Sequence, residues 1–480
     1  MFMPVAKLNV FNTLSRSKEE LIPFENNTLH MFVCGQTVYD DAHIGHAKTY
    51  VAFAVIARWL RHLGYKLTYA QNITDVEDKI IARANEQGIS AKELAEKYTQ
   101  RFFEDMQALN IKKDVDVWPK SSEYIDAIRN QIQLLVSMGY AYLLGGSVYY
   151  DVAKFADYTK LSGMNIDELN KHRIEPEEGK HNVYDFSLWK AAKPGEPHWQ
   201  IRLNVEGKEI VLDGRPGWHI EDTAMSYTLF GPQYDLHGGA QELIFPHHTN
   251  EIAQAEAAFG KKPFVKYWLH SGVVTVKGSK MSKSLKNFIK IRDFISMYGA
   301  EALKMLVLST HYRKEIDYEE RLAISARSRV RYMHSAFSIF YNAQESDGAD
   351  AEKEINDTIE RMKNSFESAM NDDFNTPLAI AALVRAISEL RNIASTNRYI
   401  SKNSKAAAVK NVLYYANILG LLEVTDYKKQ LPREAEELID QRDKLRQTGR
   451  FEDADKIREK LKTDFGISIE DTEYGTIWYY

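Results

Sequence analysis

The spacing of apolar and polar residues near the start of the chain predicts a strand, a helix and a second strand. The apolar run from Met31 to Cys34 ends at a glycine, as a buried strand does. Apolar residues then recur at helical spacing over residues 47–59, and Lys66 to Ala70 has a strand pattern. A strand, helix and strand in this order are typical of a parallel α/β sheet.

The remaining pattern predicts an insertion and then a helical region. A capping box at Ser90 starts a predicted helix that runs to Asn110. From about residue 119 to 197 the pattern changes, which indicates an inserted domain, and Ile201 to Leu212 alternates around a Glu-Gly turn as a β-hairpin does. Beyond about residue 320 the chain becomes helical, and it ends in two helices that meet at Gly449 and a short strand over residues 466–469.

Composition excludes several classes of protein. The 480 residues carry 62 basic and 67 acidic side chains, so the net charge of −5 excludes a uniformly basic nucleic-acid coat and confines any RNA contact to local patches. The one cysteine, Cys34, excludes a disulfide within the chain and favours a reducing compartment. No segment has the pattern of a membrane span or a secretory signal, so we expect a cytoplasmic protein.

Two short motifs have the chemistry of nucleotide binding. His43-Ile44-Gly45-His46 follows a strand and starts a helix, where free N–H groups attract phosphate, although a histidine there can equally be an ordinary helix cap. Lys280-Met281-Ser282-Lys283-Ser284 suits a loop that closes on a triphosphate, or else a solvated basic loop. Their order and separation resemble the two signature motifs, HIGH and KMSKS, of class I aminoacyl-tRNA synthetases.

A third group of residues has the chemistry of a metal site. His247 and Glu251 are four residues apart, on one face of a helix, and Cys34 lies at a strand end where sheet proteins bind ligands. A thiolate, an imidazole and a carboxylate make a zinc site with an open position. The alternative is a core cysteine and an unrelated surface His/Glu pair.

Over nearly its whole length the chain is similar to cysteinyl-tRNA synthetases. The matching stretches are residues 34–40, 72–79, 217–221, 235–239, 245–251, 311–313 and 373–377. The resemblance implies one zinc ion that holds the substrate's sulfur, with ligands Cys34, Asp222, His247 and Glu251. Asp222 stands where the family most often has a second cysteine; it conserves the ligand charge and binds zinc either directly or through water.

The resemblance also implies roles for the other candidate residues. His43, His46, Lys280 and Lys283 would be catalytic. ATP would contact His43, Gly45, His46, Gly238, Gly239, Lys280, Met281, Ser282, Lys283 and Ser284. The substrate cysteine would contact Thr74, Trp218, His237 and Glu242, the last at a place where the family often has Asp. Core packing of Trp218 and a structural role for His237 are the alternatives.

We therefore expect a cysteine–tRNA ligase that uses ATP with Mg²⁺, L-cysteine and tRNA(Cys), acts as a monomer and has no membrane partner. The implied fold is α/β, with a Rossmann-like nucleotide-binding parallel sheet, an inserted connective domain, a helical bundle and a small C-terminal α+β domain. The expected domains are the first Rossmann half (1–118), the insert (119–200), the second Rossmann half (201–272), the KMSKS and stem-contact region (273–320), the tRNA-binding bundle (321–424) and the anticodon-recognition domain (425–480).

Three other interpretations compete with this one. A related ligase joins cysteine to an amino sugar but typically lacks the part after Pro432. A synthetase-like RNA-binding protein without catalysis is disfavoured by the two intact motifs. Asp222 could also signal a different amino acid, because a harder metal site favours a hydroxyl over a thiol.

Overall fold

The computed structural model describes residues 7–164, 178–281, 287–346, 351–423, 432–472 and 475–479. The chain forms two compact units, Met1–Ala300 with Thr310–Glu319, and Glu301–Ser309 with Glu320–Tyr480. Among the helices in these described ranges, none combines the length and the apolar character that crossing a membrane requires.

The first unit is built around a four-stranded parallel sheet. Its elements are β1 Asn9–Asn12, β2 Ser17–Glu20, β3 Thr28–Thr37, α1 Ile44–His62, β4 Lys66–Thr74, α2 Asp78–Gln87, α3 Ala91–Ala108, α4 Ile125–Ser137, β5 Ala141–Leu144, β6 Ser147–Tyr150, β7 Phe186–Ala191, β8 Trp199–Val205, β9 Lys208–Pro216, α5 Ile220–Phe230, β10 Tyr234–Ala240, α6 Thr249–Phe259, β11 Val265–Ser271, β12 Val274–Val276, β13 Ser279–Lys280, α7 Ile291–Tyr298 and β14 Ile316–Tyr318. Strands β11, β10, β3 and β4 lie side by side in that order and all run parallel.

The predicted strand–helix–strand unit is confirmed. It consists of β3, α1 and β4, and α1 is buried along almost its whole length because small and apolar residues cover most of its surface. The capping box at Ser90 is also present: its hydroxyl accepts the N–H of Glu93, and the Glu93 carboxylate accepts the N–H of Ser90.

The same unit contains an antiparallel sheet of five strands, in the order β5-β6-β7-β9-β8. The predicted hairpin is present as β8 and β9, joined by Glu206 and Gly207, which both have positive φ as a two-residue hairpin turn requires. The hairpin pairs with the strands of the insert, although it lies beyond the boundary we expected at residue 200. The domain boundaries remain predictions.

The second unit is helical and ends in a small mixed domain. It contains α8 Ala300–Leu308, α9 Glu320–Tyr341, β15 Glu345–Ser346, α10 Glu352–Asn371, α11 Thr376–Thr396, β16 Ile400–Ser401, α12 Lys402–Leu419, α13 Arg433–Gln447, α14 Phe451–Phe465, β17 Ser468–Thr472 and β18 Gly475–Tyr479. The two predicted terminal helices are α13 and α14. The predicted strand begins later than expected because Gly466 caps α14 in the left-handed conformation, and its partner β18 was not predicted.

Candidate functional site

The candidate site lies at the carboxyl ends of β3, β4 and β10. Strand β4 pairs with one edge of β3. Strand β10 pairs with the opposite edge of β3, and β11 lies beyond β10. Open parallel sheets bind ligands in the crevice at such a switch point. A cavity opens here, and it brings together ten of the predicted site residues: Cys34, His43, Gly45, His46, Thr74, Trp218, Asp222, Glu242, His247 and Met281.

Four buried side chains with metal-binding atoms converge beside this cavity: Cys34, Asp222, His247 and Glu251. Asp222 Oδ2 lies 3.3 Å from Cys34 Sγ and 3.2 Å from His247 Nε2, and Glu251 Oε1 lies 3.2 Å from the same nitrogen. A tetrahedral zinc site with bonds of about 2.0–2.3 Å places its ligand atoms roughly 3.3–3.7 Å apart. The four side chains therefore have the spacing of a zinc site.

The hydrogen bonding of these side chains also fits a metal. Both carboxylate oxygens of Glu251 are buried, and within the described part of the chain neither makes a hydrogen bond. His247 uses its other ring nitrogen, Nδ1, in a 2.8 Å contact with Nδ1 of His219, as metal-ligating histidines do. A cation between these groups would satisfy the two Glu251 oxygens, which otherwise lose the hydrogen bonds that they make in water.

The charges of the cluster require compensation. Burial raises the pKa of the Cys34 thiol well above its usual value, and the charges of Asp222 and Glu251 raise it further. Burial likewise raises the pKa of Glu251, with additional repulsion from Asp222 and Glu221. A divalent cation reverses both effects, because it stabilises thiolate and carboxylate in their charged forms.

The HIGH motif forms the first turn of α1. His43 is the N-cap: its Nδ1 accepts the N–H of Gly45 at 3.0 Å, and its own N–H donates to His46 Nδ1 at 3.3 Å. The two rings stack with centroids 3.8 Å apart. Burial lowers the pKa of His46 well below its usual value, and the nearby charges of His43 and Lys79 add to this. His46 is therefore a neutral imidazole.

The segment that follows the KMSKS motif is attached to the HIGH turn. Ile44 N–H donates to Ile289 O at 3.0 Å, and Ile291 N–H donates to Ala42 O at the same distance. Asp41 reinforces this connection through an ion pair with Lys290. Within the motif, Met281 lines the cavity and Lys280 ends β13, whereas Ser282, Lys283 and Ser284 lie outside the described residues.

The remaining predicted residues divide into two groups. Thr74, Trp218 and Glu242 line the cavity, and Trp218 stacks on the His247 ring with centroids 4.4 Å apart. His237 lies behind Cys34, between its Sγ at 3.4 Å and the Tyr234 hydroxyl at 2.6 Å.

The two predicted nucleotide glycines pack against protein side chains. A Cβ on Gly238 would lie 2.3 Å from the Phe53 ring, and one on Gly239 would lie 2.9 Å from the His248 ring. Close packing of α1 and of the FPHHTNE segment explains why both residues are glycine. Their contact with adenosine remains a prediction.

Sequence reasoning missed His248, whose Nε2 lies 3.1 Å from Cys34 Sγ. Together with His237 and Glu251 it forms a second group of ligand atoms around the same thiol. On a regular helix, neighbouring histidines point in different directions. Here the chain kinks at Phe245, which has an extended conformation, and both His247 and His248 bring a ring nitrogen within 4.8 Å of Cys34 Sγ. The pair of adjacent histidines was the only signal of this in the sequence.

The comparisons with known proteins first give the class. The family model "tRNA synthetases class I (C) catalytic domain" matches residues 20–328, and the model "DALR domain" matches residues 365–423. Solved structures with the same fold include a LeuRS–tRNA–LeuAMS complex from Agrobacterium radiobacter K84, at 12% identity, TM-score 0.59, and coverage of 83% of this chain and 85% of that one. Methionyl-tRNA synthetase from Mycobacterium tuberculosis has 15% identity, a TM-score of 0.57, and coverage of 82% and 89%. The Rossmann-like α/β fold is confirmed, and the protein is a class I aminoacyl-tRNA synthetase.

Comparison with curated proteins then gives the family. The Cysteine–tRNA ligase of Thermococcus onnurineus (strain NA1) is 43% identical over 98% of each chain. That of Pseudomonas aeruginosa (strain LESB58) is 42% identical over 98% of this chain and 99% of its own. The chain belongs to the cysteine–tRNA ligase family, which confirms the resemblance noted from its sequence.

Proposed function

We propose that this protein activates L-cysteine with ATP to give cysteinyl-adenylate and pyrophosphate, and then transfers the cysteinyl group to the 3′ end of tRNA(Cys). One observation carries the proposal: a single cavity adjoins both the HIGH turn and the cluster of Cys34, Asp222 and His247. Helix N-termini bind phosphate, and a thiolate–carboxylate–imidazole cluster binds a metal that prefers sulfur. The cavity therefore suits a nucleotide and a thiol amino acid side by side.

Zinc fits the cluster, and Cys34, Asp222, His247 and Glu251 would hold it. When bound, zinc lowers the pKa of a thiol and binds its sulfur strongly, whereas a serine hydroxyl does not ionise comparably. An apolar pocket alone discriminates such close analogues only weakly. Stacking of Trp218 on His247 at 4.4 Å would fix the orientation of that ligand and close one side of the thiol site.

In the first step, a carboxylate oxygen of cysteine attacks the α-phosphorus of ATP, and the bond to the bridging oxygen breaks as pyrophosphate leaves. His43 and His46 each accept a backbone N–H at Nδ1, so a neutral ring carries its proton on Nε2. Both rings would donate these protons to the α-phosphate oxygens as negative charge develops there. Lys280 and Lys283 would stabilise the departing pyrophosphate, which Mg²⁺ accompanies.

The amino acid would be held by residues around the same cavity. Glu242, Thr74 and Trp218 line the cavity, and Glu242 would pair with the substrate ammonium group. Thr74 donates its hydroxyl hydrogen to Glu221 at 2.9 Å and accepts Asn72 Nδ2 at 3.4 Å, which leaves one lone pair of its oxygen for the substrate. In the second step, the 2′-hydroxyl of the terminal ribose of the tRNA would attack the carbonyl of the adenylate, and AMP would leave.

Cysteine-dependent exchange of pyrophosphate into ATP tests the proposal when it is run with metal analysis of the same protein. We expect one zinc per chain, exchange that depends on cysteine, and far slower exchange with serine. Absence of exchange with cysteine would overturn the proposed activity. Equal rates with serine and cysteine would overturn the role of zinc and favour a changed amino acid.

A further inference from the structure

The side chain of Asn72 holds one oxygen of Asp222. Asn72 is 1% exposed, near the carboxyl end of β4, and its Nδ2 donates a 2.7 Å hydrogen bond to Asp222 Oδ1. The other oxygen, Oδ2, is the one that approaches Cys34 Sγ at 3.3 Å and His247 Nε2 at 3.2 Å. The two oxygens of this carboxylate therefore have different partners, and only Oδ2 faces the cluster.

A backbone contact fixes which way the Asn72 amide points. The N–H of Gly35 donates to Asn72 Oδ1 at 2.6 Å, and because an N–H can only donate, the amide oxygen must face Gly35. The amide NH₂ then faces Asp222. A Cβ on Gly35 would lie 1.7 Å from the backbone oxygen of Asn72, so the approach of the two segments requires glycine. Asn72 thus connects the backbone beside one ligand, Cys34, to the side chain of another, Asp222.

We propose that Asn72 is a positioning residue that makes Asp222 a ligand through Oδ2 alone. This rests on the proposed function, in which the cluster binds zinc. A carboxylate can bind a metal through one oxygen or two, whereas a thiolate has a single donor atom. With Cys34, His247 and Glu251 also bound, a second Asp222 oxygen would fill the position that the substrate sulfur needs. The restraint is therefore specific to a chain with aspartate at residue 222.

The test is a double-mutant cycle on zinc affinity, measured on the full chain by competition with a chelator. Asn72→Ala should weaken zinc binding about 10–100-fold, as the loss of a partner behind a metal ligand typically does. In the background of Asp222→Cys, the same change should alter affinity by less than about threefold, because no second oxygen remains to be held. Replacing zinc by Co²⁺ adds a spectroscopic measure, since a change of coordination number at Asn72→Ala alters the visible bands.

Gln71→Ala provides the matched control. Gln71 is a buried amide next to Asn72 on the same strand, but alternate side chains point to opposite faces, and its contact is with the Tyr69 hydroxyl at 3.1 Å. We expect it to leave zinc affinity unchanged. If Asn72→Ala fails to fold, Asn72→Leu fills a similar volume without adding a charge and has no donor toward Asp222, and it should weaken zinc binding as well.

The outcomes separate this inference from the proposed function. Unchanged zinc affinity in Asn72→Ala, with normal binding by the unmodified chain, overturns the inference alone. Equal weakening with and without the Asp222→Cys substitution also overturns it, because Asn72 would then act on the fold in general. Failure of the unmodified chain to bind zinc overturns both the metal site and the inference.

Discussion

His43 caps α1 and has a proposed catalytic role, and mutagenesis can separate the two because asparagine can replace a cap but not an imidazole. As the N-cap of α1, its Nδ1 accepts the N–H of Gly45 at 3.0 Å. In the proposed reaction, the same ring donates from Nε2 to the α-phosphate. Asparagine is among the best N-cap residues, but it has no imidazole. His43→Asn should therefore keep the cap and lose the catalytic donor, whereas His43→Ala should lose both.

The expected magnitudes follow from the contacts. Alanine removes one cap hydrogen bond, worth about 1 kcal/mol, while the reciprocal bond from the His43 N–H to His46 remains because its donor is the backbone. Both variants lose the ring stack on His46, worth about 0.5–1.5 kcal/mol. We expect the free energy of unfolding to fall by about 2 kcal/mol in His43→Ala and by about 1 kcal/mol in His43→Asn. The rate of cysteine-dependent pyrophosphate exchange should fall about 10²–10³-fold in both variants, because each loses one hydrogen-bond donor to the charge that develops in the transition state.

Two measurements on the same preparations check this reasoning: urea unfolding for the cap, and cysteine-dependent pyrophosphate exchange for the donor. Equal free energies of unfolding for the two variants would refute the cap argument. Exchange by His43→Asn within about threefold of the unmodified enzyme would refute the catalytic role and leave His43 as an ordinary helix cap.

Three further predictions concern the metal, an ion pair and a packing contact. Cys34→Ser should lose zinc and cysteine activation but keep ATP binding, as metal analysis and calorimetry can measure; full cysteine activation without bound metal would contradict it. Burial opposes ionisation of Asp41, yet Arg101 and Lys290 hold its pKa at about 2, below the ordinary value of about 3.9. Asp41→Asn should therefore lower the free energy of unfolding by about 2 kcal/mol near neutral pH. This difference from the unmodified protein should disappear between about pH 4 and pH 2, as Asp41 is protonated, and a difference that persists in acid would contradict the prediction. Gly238→Ala should lower the free energy of unfolding by about 1–3 kcal/mol through its clash with Phe53, and unchanged stability in urea unfolding would contradict this; the KM for ATP of the same variant tests the predicted contact with adenosine.

The sequence predicted those parts of the fold and the site whose determinants are local. The β3–α1–β4 unit, the cap at Ser90 and the turn at Glu206-Gly207 each follow from residues close together in the chain. Strand β18 was missed because its evidence is a pairing with β17, and the last segment has no strong period of its own. The FPHHTNE stretch was recognised, but the contact of His248 with Cys34 joins residues 214 positions apart, and no periodicity within the stretch indicates it.

The contact between Asn72 and Asp222 could not be predicted from local sequence patterns, because it joins residues 150 positions apart. At residue 222 an aspartate has the same charge as the cysteine thiolate that the family most often has there, so with three negative ligands the proposed zinc site would have the same net charge in either case. What differs is the number of donor atoms, because a carboxylate has two oxygens to control and a thiolate has one sulfur. Asn72 donates a hydrogen bond to the second oxygen of Asp222. The orientation of the Asn72 amide is fixed in turn by the N–H of Gly35, the residue that follows Cys34. If Asp222 binds zinc as we propose, its use in place of a thiolate would depend on this hydrogen bond between β4 and α5.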